Sequence, residues 1–212
     1  MENYRTIKEN GIDEVEIKKS KFICFLKRVD NEEEAIAFID QIKKEHWKAT
    51  HNCSAYTIGV NDEIQRANDD GEPSGTAGIP MLEILLKREL KNVVAVVTRY
   101  YGGIKLGAGG LIRAYGGSVN RAVDKVGIVE RQLQQLIDVT VSYPQSGHVE
   151  HSLREANYTI QNISYAEDIT YHCVVPLEQE EQFQQDIANW TSAEAKIEII
   201  NKAWIEVEVE NS

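Results

Sequence analysis

The sequence predicts two α+β domains, residues 1–131 and 132–212, and three observations carry that prediction. The first is charge. Residues 1–131 hold 20 Lys and Arg against 20 Asp and Glu, whereas residues 132–212 hold 3 against 14, so the whole net charge of −11 lies in the last 81 positions. The second is the order of apolar periodicities after Arg131, which reads βαββαβ, the split-βαβ or ferredoxin-like arrangement. The third is the near-continuous apolar run from Val93 to Val97, the pattern of a strand covered on both faces.

The elements follow in order. Residues 12–26 contain two strand-like runs. Asn31 and Glu34 have capping-box spacing before a helix whose apolar face is Ala35, Phe38, Ile39 and Ile42. A strand over 52–60, a turn at Asn61-Asp62 and a partner over 63–67 make a hairpin. The breaker-rich loop 68–76 leads into a helix through Leu82, Leu85, Leu86 and Leu90, with Pro80 tolerated in its first turn. A helix over 109–126 closes the first domain, and a short polar linker is expected near 129–135. Beyond it come a strand (133–141), a helix (147–156), two strands (158–164 and 169–175), a helix (178–190) and a strand region from Lys196. In that last region Ile205, Val207 and Val209 alternate with Glu206, Glu208 and Glu210, predicting a half-buried strand with an acidic solvent face.

Seven of the fourteen glycines fall between residues 102 and 117. Glycine costs backbone entropy, so such crowding marks positive φ or close approach by a ligand or another backbone. The segment is not a nucleotide motif: Ile112 stands where G-x-G-x-x-G needs its last glycine, and Lys105 is not followed by Ser or Thr. What remains is a strand, a glycine turn and a helix N-terminus that offers free N–H groups to an anion. On a helical wheel Arg113, Gly116, Gly117 and Asn120 share one side with Asp124. That smooth face suits either tight packing on a neighbouring element or a docked phosphate backbone or protein helix. Arg99, Tyr100, Tyr101 and Lys105 add two cations and two aromatics within seven residues, the ingredients of a single-stranded nucleic-acid surface. Core-edge packing is the alternative for the tyrosines.

A second candidate cluster is His51, Cys53, Asp70, Glu72, Ser74 and Thr76. Calcium is excluded, because aligning Gly71 with the EF-hand glycine puts Arg66 and Ala77 where carboxylates are needed. His51 and Cys53 share a strand face without the aligned base that a thiol nucleophile requires. Ser74 and Thr76 sit in a glycine-loosened helix entry that could receive an anion. His148 and His151 have no third ligand, and the other histidines read as surface residues. No metal, cofactor or catalytic residue is expected. Three widely spaced cysteines suit a reducing cytoplasm, and neither a signal peptide nor a membrane span is read.

The segments Glu16–Phe22, His51–Tyr56, Asp69–Gly78 and Arg99–Leu111 resemble the IMPACT/YigZ family over essentially the full length of its bacterial two-domain form. The resemblance implies a first domain like the second domain of a small-subunit ribosomal protein and a ferredoxin-like second domain similar to the last domain of elongation factor G. The eukaryotic relative regulates translation by binding the activator of an initiation-factor kinase through an extra N-terminal domain that this chain lacks, so that partner does not carry over. Some bacterial relatives are labelled proline dipeptidases, but the two-metal carboxylate and histidine cluster of such enzymes is missing.

These readings converge on a non-enzymatic RNA- or ribosome-associated protein with a role in translation regulation. The alternatives are a protein-partner adaptor and a small-molecule or phosphoryl-group enzyme, with Asp70 or Glu72 as base and Arg99 or Lys105 as clamp. The enzyme reading requires Asp70, Glu72, His51 and Lys105 to converge on one closed pocket; an open groove favours binding.

Overall fold

A computed structural model of the chain describes residues 3–209. It is a two-domain α+β structure built on antiparallel sheets. The first elements are β1 (Tyr4–Ile7), β2 (Gly11–Ile17), β3 (Ser20–Arg28), α1 (Glu32–Glu45), β4 (His51–Ile58), β5 (Ile64–Asn68), α2 (Gly78–Lys87), β6 (Val93–Tyr100) and α3 (Ala108–Val126). Five of these strands form one sheet in the order β2-β3-β6-β4-β5. The apolar run of β6 is central and covered on both faces, as its composition requires. Val93, Ala95 and Val97 pack among residues of α2 and α3, and Val94 and Val96 among residues of α1. Asn31 caps α1 by accepting the Glu34 N–H at 2.9 Å. The Glu34 carboxylate returns the bond one residue earlier than a capping box would, to the Asp30 N–H at 3.0 Å.

The remaining elements are β7 (Ile128–Val141), α4 (Tyr143–Glu155), β8 (Thr159–Tyr165), β9 (Ile169–Pro176), α5 (Glu180–Thr191) and β10 (Lys196–Glu208). They realise the expected βαββαβ order, with strands side by side as β10-β7-β9-β8. Ile137, Val139, Tyr171 and Val175 face Leu153 of α4 and Phe183 of α5 in a core of their own. The chain divides into two compact units, Gln132–Ile205 and Asn3–Arg131 joined by the residues from Glu206 on.

Three local readings change. The polar stretch near 129–135 is not a linker but part of β7, where Gln135 is buried and its amide donates to the Asn201 carbonyl at 2.7 Å. Strand β1 has no counterpart in the sequence reading, because four residues are too few to reveal a period of two. The acidic alternation at the chain's end is exposed as expected but not free: Glu206 takes two N–H bonds from Arg28 at 2.6 and 3.1 Å, Glu208 pairs with Lys8, and Val207 on the apolar side is itself exposed. Glu210 lies outside the described residues.

The helix face of α3 is split. Gly116 is buried, and a Cβ there would touch the Pro80 carbonyl of α2 at 3.5 Å. Asn120 and Asp124 both accept from the Arg88 guanidinium, at 2.9 and 2.8 Å. Of the two glycines only Gly117 opens on free space, with no atom within 4 Å of the point a Cβ would occupy. Gly117→Ala is therefore expected to raise stability by up to about 1 kcal/mol through helix propensity. Gly102→Ala should do the reverse, since its Cβ would lie 1.9 Å from the Lys19 carbonyl at the tip of the β2–β3 hairpin. Urea unfolding of the two variants checks both signs, and a destabilised Gly117→Ala would mean that this face is covered.

Candidate nucleic-acid and anion site

Strand alternation separates the residues at the end of β6. Arg99 points to the α2–α3 side and is only 5% exposed. Tyr100 points to the α1 side, where its hydroxyl bonds the His46 ring at 2.8 Å. The two tyrosines therefore do not form one stacking surface, a correction that follows from the period-two geometry of the strand. Tyr101, one residue past the strand, is 46% exposed and carries the Arg99 guanidinium against its ring at 5.3 Å. The same guanidinium lies over the Phe22 ring at 5.5 Å.

The sequence offers Arg99 as a phosphate contact, but the structure commits it internally. Its NH1 donates to Glu72 Oε1 at 2.6 Å, and the same oxygen accepts the Tyr115 hydroxyl at 2.7 Å. A buried guanidinium needs such a partner, because an unpaired charge in a low-dielectric interior is far costlier than a paired one. Burial, and then its neighbours Cys53 and Glu72, hold the Tyr115 hydroxyl well above the usual phenol range, so it stays protonated as a donor.

The acidic loop is likewise turned inward. Asp69 accepts three backbone N–H groups, from Gly75 at 2.8 Å, Ala77 at 3.1 Å and Gly78 at 2.8 Å. It thereby fills the N-terminus of α2, so the helix entry at Ser74 and Thr76 already holds its anion. Thr76 is buried, with its hydroxyl donating to the Pro73 carbonyl at 2.6 Å. Asp70 is bound by Lys43 at 2.8 Å and by the Asn52 N–H at 2.7 Å. Cys53 donates to the Asp69 carbonyl at 3.0 Å, and burial pushes its thiol up to about 12. At neutral pH it is not a nucleophile.

What stays open is a cleft of about 480 Å³. Its walls include His51, Tyr101, Lys105, Gly107, Ala108 and Leu111, and Arg99 and Glu72 lie along its floor. His51 Nδ1 is 2.8 Å from the Asp70 carbonyl, an acceptor that requires the proton on Nδ1, and Nε2 stands 3.7 Å from Glu72. Gly107 caps α3 without any side-chain acceptor, and no acidic residue occupies the first turn. This helix N-terminus is bare where that of α2 is filled. Three of the four residues required for an enzyme pocket thus meet, Glu72, His51 and Lys105, while Asp70 is turned to Lys43. Glu72, spent on Arg99 and Tyr115, is not a free base. Among the described residues nine Lys and Arg have no carboxylate partner; four of them are Lys105, which lines the cleft, Lys18 and Lys19 at the β2–β3 hairpin tip, and Arg113 of α3. The two lysines of the hairpin tip lie in the family-like segment Glu16–Phe22, but the sequence gives them no place in the site. Their signal is the contact between Lys19 and Gly102, which only the fold reveals.

The buried network can be tested by substitution and by pH. Glu72→Ala is expected to lose about 3–5 kcal/mol, because it strands the Arg99 charge, and the Glu72→Leu/Arg99→Met double variant should be less destabilised than that single change; chemical unfolding compares them. The Asp69 carboxyl is pushed up by burial, but its three backbone donors outweigh this and hold it below its ordinary value of 3.8. A lowered folded-state value gives stability that is present above the unfolded value and lost as pH falls through the folded one. The wild type should therefore lose more stability than Asp69→Asn between about pH 5 and pH 2, measured by thermal melts across that range.

Residues 18–123 match the Impact N-terminal domain, and residues 139–194 match DUF1949, a domain of unknown function. The chain is 51% identical to the IMPACT family member YvyE of Bacillus subtilis, covering 93% of this chain and 91% of that one. It is 37% identical to the IMPACT family member YigZ of Escherichia coli, covering 83% and 87%. A solved structure titled as a hypothetical protein aligns with a TM-score of 0.61 at 33% identity, covering 95% of this chain and 98% of the other.

Proposed function

We propose, for a chain that belongs to the IMPACT family, that the cleft beside Tyr101 binds single-stranded RNA, free or on the ribosome, in a non-enzymatic role in translation regulation. The observation that carries this reading is the half-exposed Tyr101 ring resting on the buried Arg99 guanidinium, in one cleft with Lys105, which has no carboxylate partner among the described residues. One side of the ring is held by Arg99, and a base stacks against what remains open. Lys105 and the bare N-terminus of α3 supply phosphate contacts, and Lys18, Lys19 and Arg113 extend the positive surface. Gly117 contributes room for a close backbone approach rather than a contact. The pairing of Glu72 with Arg99 supports the same reading, because the carboxylate that lines the cleft is compensated by a cation.

Fluorescence anisotropy of the full chain with a labelled single-stranded RNA at low salt tests the proposal. Tyr101→Ala should weaken binding by about 1–3 kcal/mol. Lys105→Ala should weaken it uniformly across sequences and reduce the salt slope by about 0.7 per lost phosphate contact. Absence of binding by the folded wild type at low salt, or an unchanged affinity in Tyr101→Ala, overturns it.

A further inference from the structure

A second cluster lies in the unit Gln132–Ile205, on the face of its sheet opposite the α4–α5 core. Asp138 of β7 and His172 of β9 are direct register partners, and Ser164 of β8 lies diagonally across from His172. His172 Nδ1 is 2.7 Å from Asp138 Oδ1, and Ser164 Oγ is 2.7 Å from His172 Nε2. An ionised carboxylate only accepts, so Asp138 holds the proton on Nδ1 and leaves Nε2 as acceptor for the serine O–H. The order of atoms from carboxylate to imidazole to hydroxyl is that of a nucleophile, its base and an orienting acid. Ser164 is exposed, and beside it Asp138, Asn162 and His172 line a cleft of about 380 Å³ together with Gln161, Leu136 and Ile200.

We propose that Ser164, His172 and Asp138 form an acyl-transfer site that hydrolyses small neutral or cationic esters. Ser164 Oγ bonds to the acyl carbon while its proton passes to His172 Nε2. The ester C–O bond then breaks, and the leaving oxygen takes that proton. Water attacks the acyl-serine, giving a proton to Nε2; the carboxylic acid departs and Ser164 regains its hydrogen. The side-chain amides of Gln161 and Asn162 are the donors available to the oxyanion, and Leu136 and Ile200 offer an apolar wall to the acyl group. The substrate's charge class follows from the surroundings: this unit carries eleven Asp and Glu against three Lys and Arg, which disfavours anionic esters. Ser164 and His172 are the catalytic residues, and Asp138 is a positioning residue.

The experiment treats the folded full chain with a fluorophosphonate probe and maps the adduct by mass spectrometry, alongside p-nitrophenyl butyrate hydrolysis. Expected are a covalent adduct at Ser164 in preference to other exposed serines, and a loss of about 10²-fold or more in labelling and hydrolysis in His172→Gln. Asp138→Asn should lower kcat with KM retained, a split that a purely structural role would not produce. No adduct at Ser164 in the folded wild type, equal labelling of His172→Gln, or a folded Ser164→Ala variant that hydrolyses the ester at the wild-type rate overturns the proposal. Should Ser164→Ala fail to fold, the adduct map on the native chain still decides.

Discussion

The ion pair between Glu72 and Arg99 is the constraint on which the first unit depends. Both groups are almost wholly shielded from water, so each is tolerable only because the other is there, and the Tyr115 hydroxyl completes the carboxylate's bonding. One oxygen of Glu72 thus joins the loop before α2, the end of β6 and the middle of α3. The guanidinium so fixed becomes the pedestal under Tyr101, and the exposed ring inherits its orientation from a charge that solvent does not reach. An arrangement of this kind separates affinity from stability: the aromatic surface is adjustable, whereas the pair beneath it is not.

The two helix N-termini of that unit share one chemistry and serve opposite ends. At α2 the orphan N–H groups are closed by a residue of the same chain, Asp69, which ties the loop to the helix. At α3 the cap is Gly107, with φ of +73°, which offers nothing but backbone and leaves the terminus open to an external anion. Glycine is required there by conformation and is useful there by what it lacks.

Most of the fold was legible in the sequence because periodicity is local. The central strand β6, the amphipathic α1 and the βαββαβ order each show in a window of ten to twenty residues. The site was legible only as a set of residues. Asp70 and Glu72 read as candidate bases because their partners are remote in the chain: Lys43 lies 27 residues before Asp70, Arg99 27 residues beyond Glu72, and Tyr115 43 residues beyond. The division of Tyr100 from Tyr101 depends on where β6 stops, and element ends are what a sequence shows least well. The Asp138, His172 and Ser164 cluster was illegible for a further reason. It spans three strands whose pairing shifts between Ile160 and Asn162, so no spacing in the sequence encodes it.

The boundary between the compact units falls inside β7, and the unit that holds Lys8 is completed by residues far along the chain: Lys8 pairs with Glu208 across 200 positions, and the Val209 N–H bonds the Ile128 carbonyl at 3.1 Å. During synthesis, the first unit therefore leaves the ribosomal tunnel without its closing segment. It must wait, part-finished, until Glu206 and its neighbours emerge. The cost of closing so long a loop grows only with the logarithm of its length, so the final state is hardly penalised. The delay falls on kinetics, since a waiting β1 and the start of β7 present open strand edges to other nascent chains.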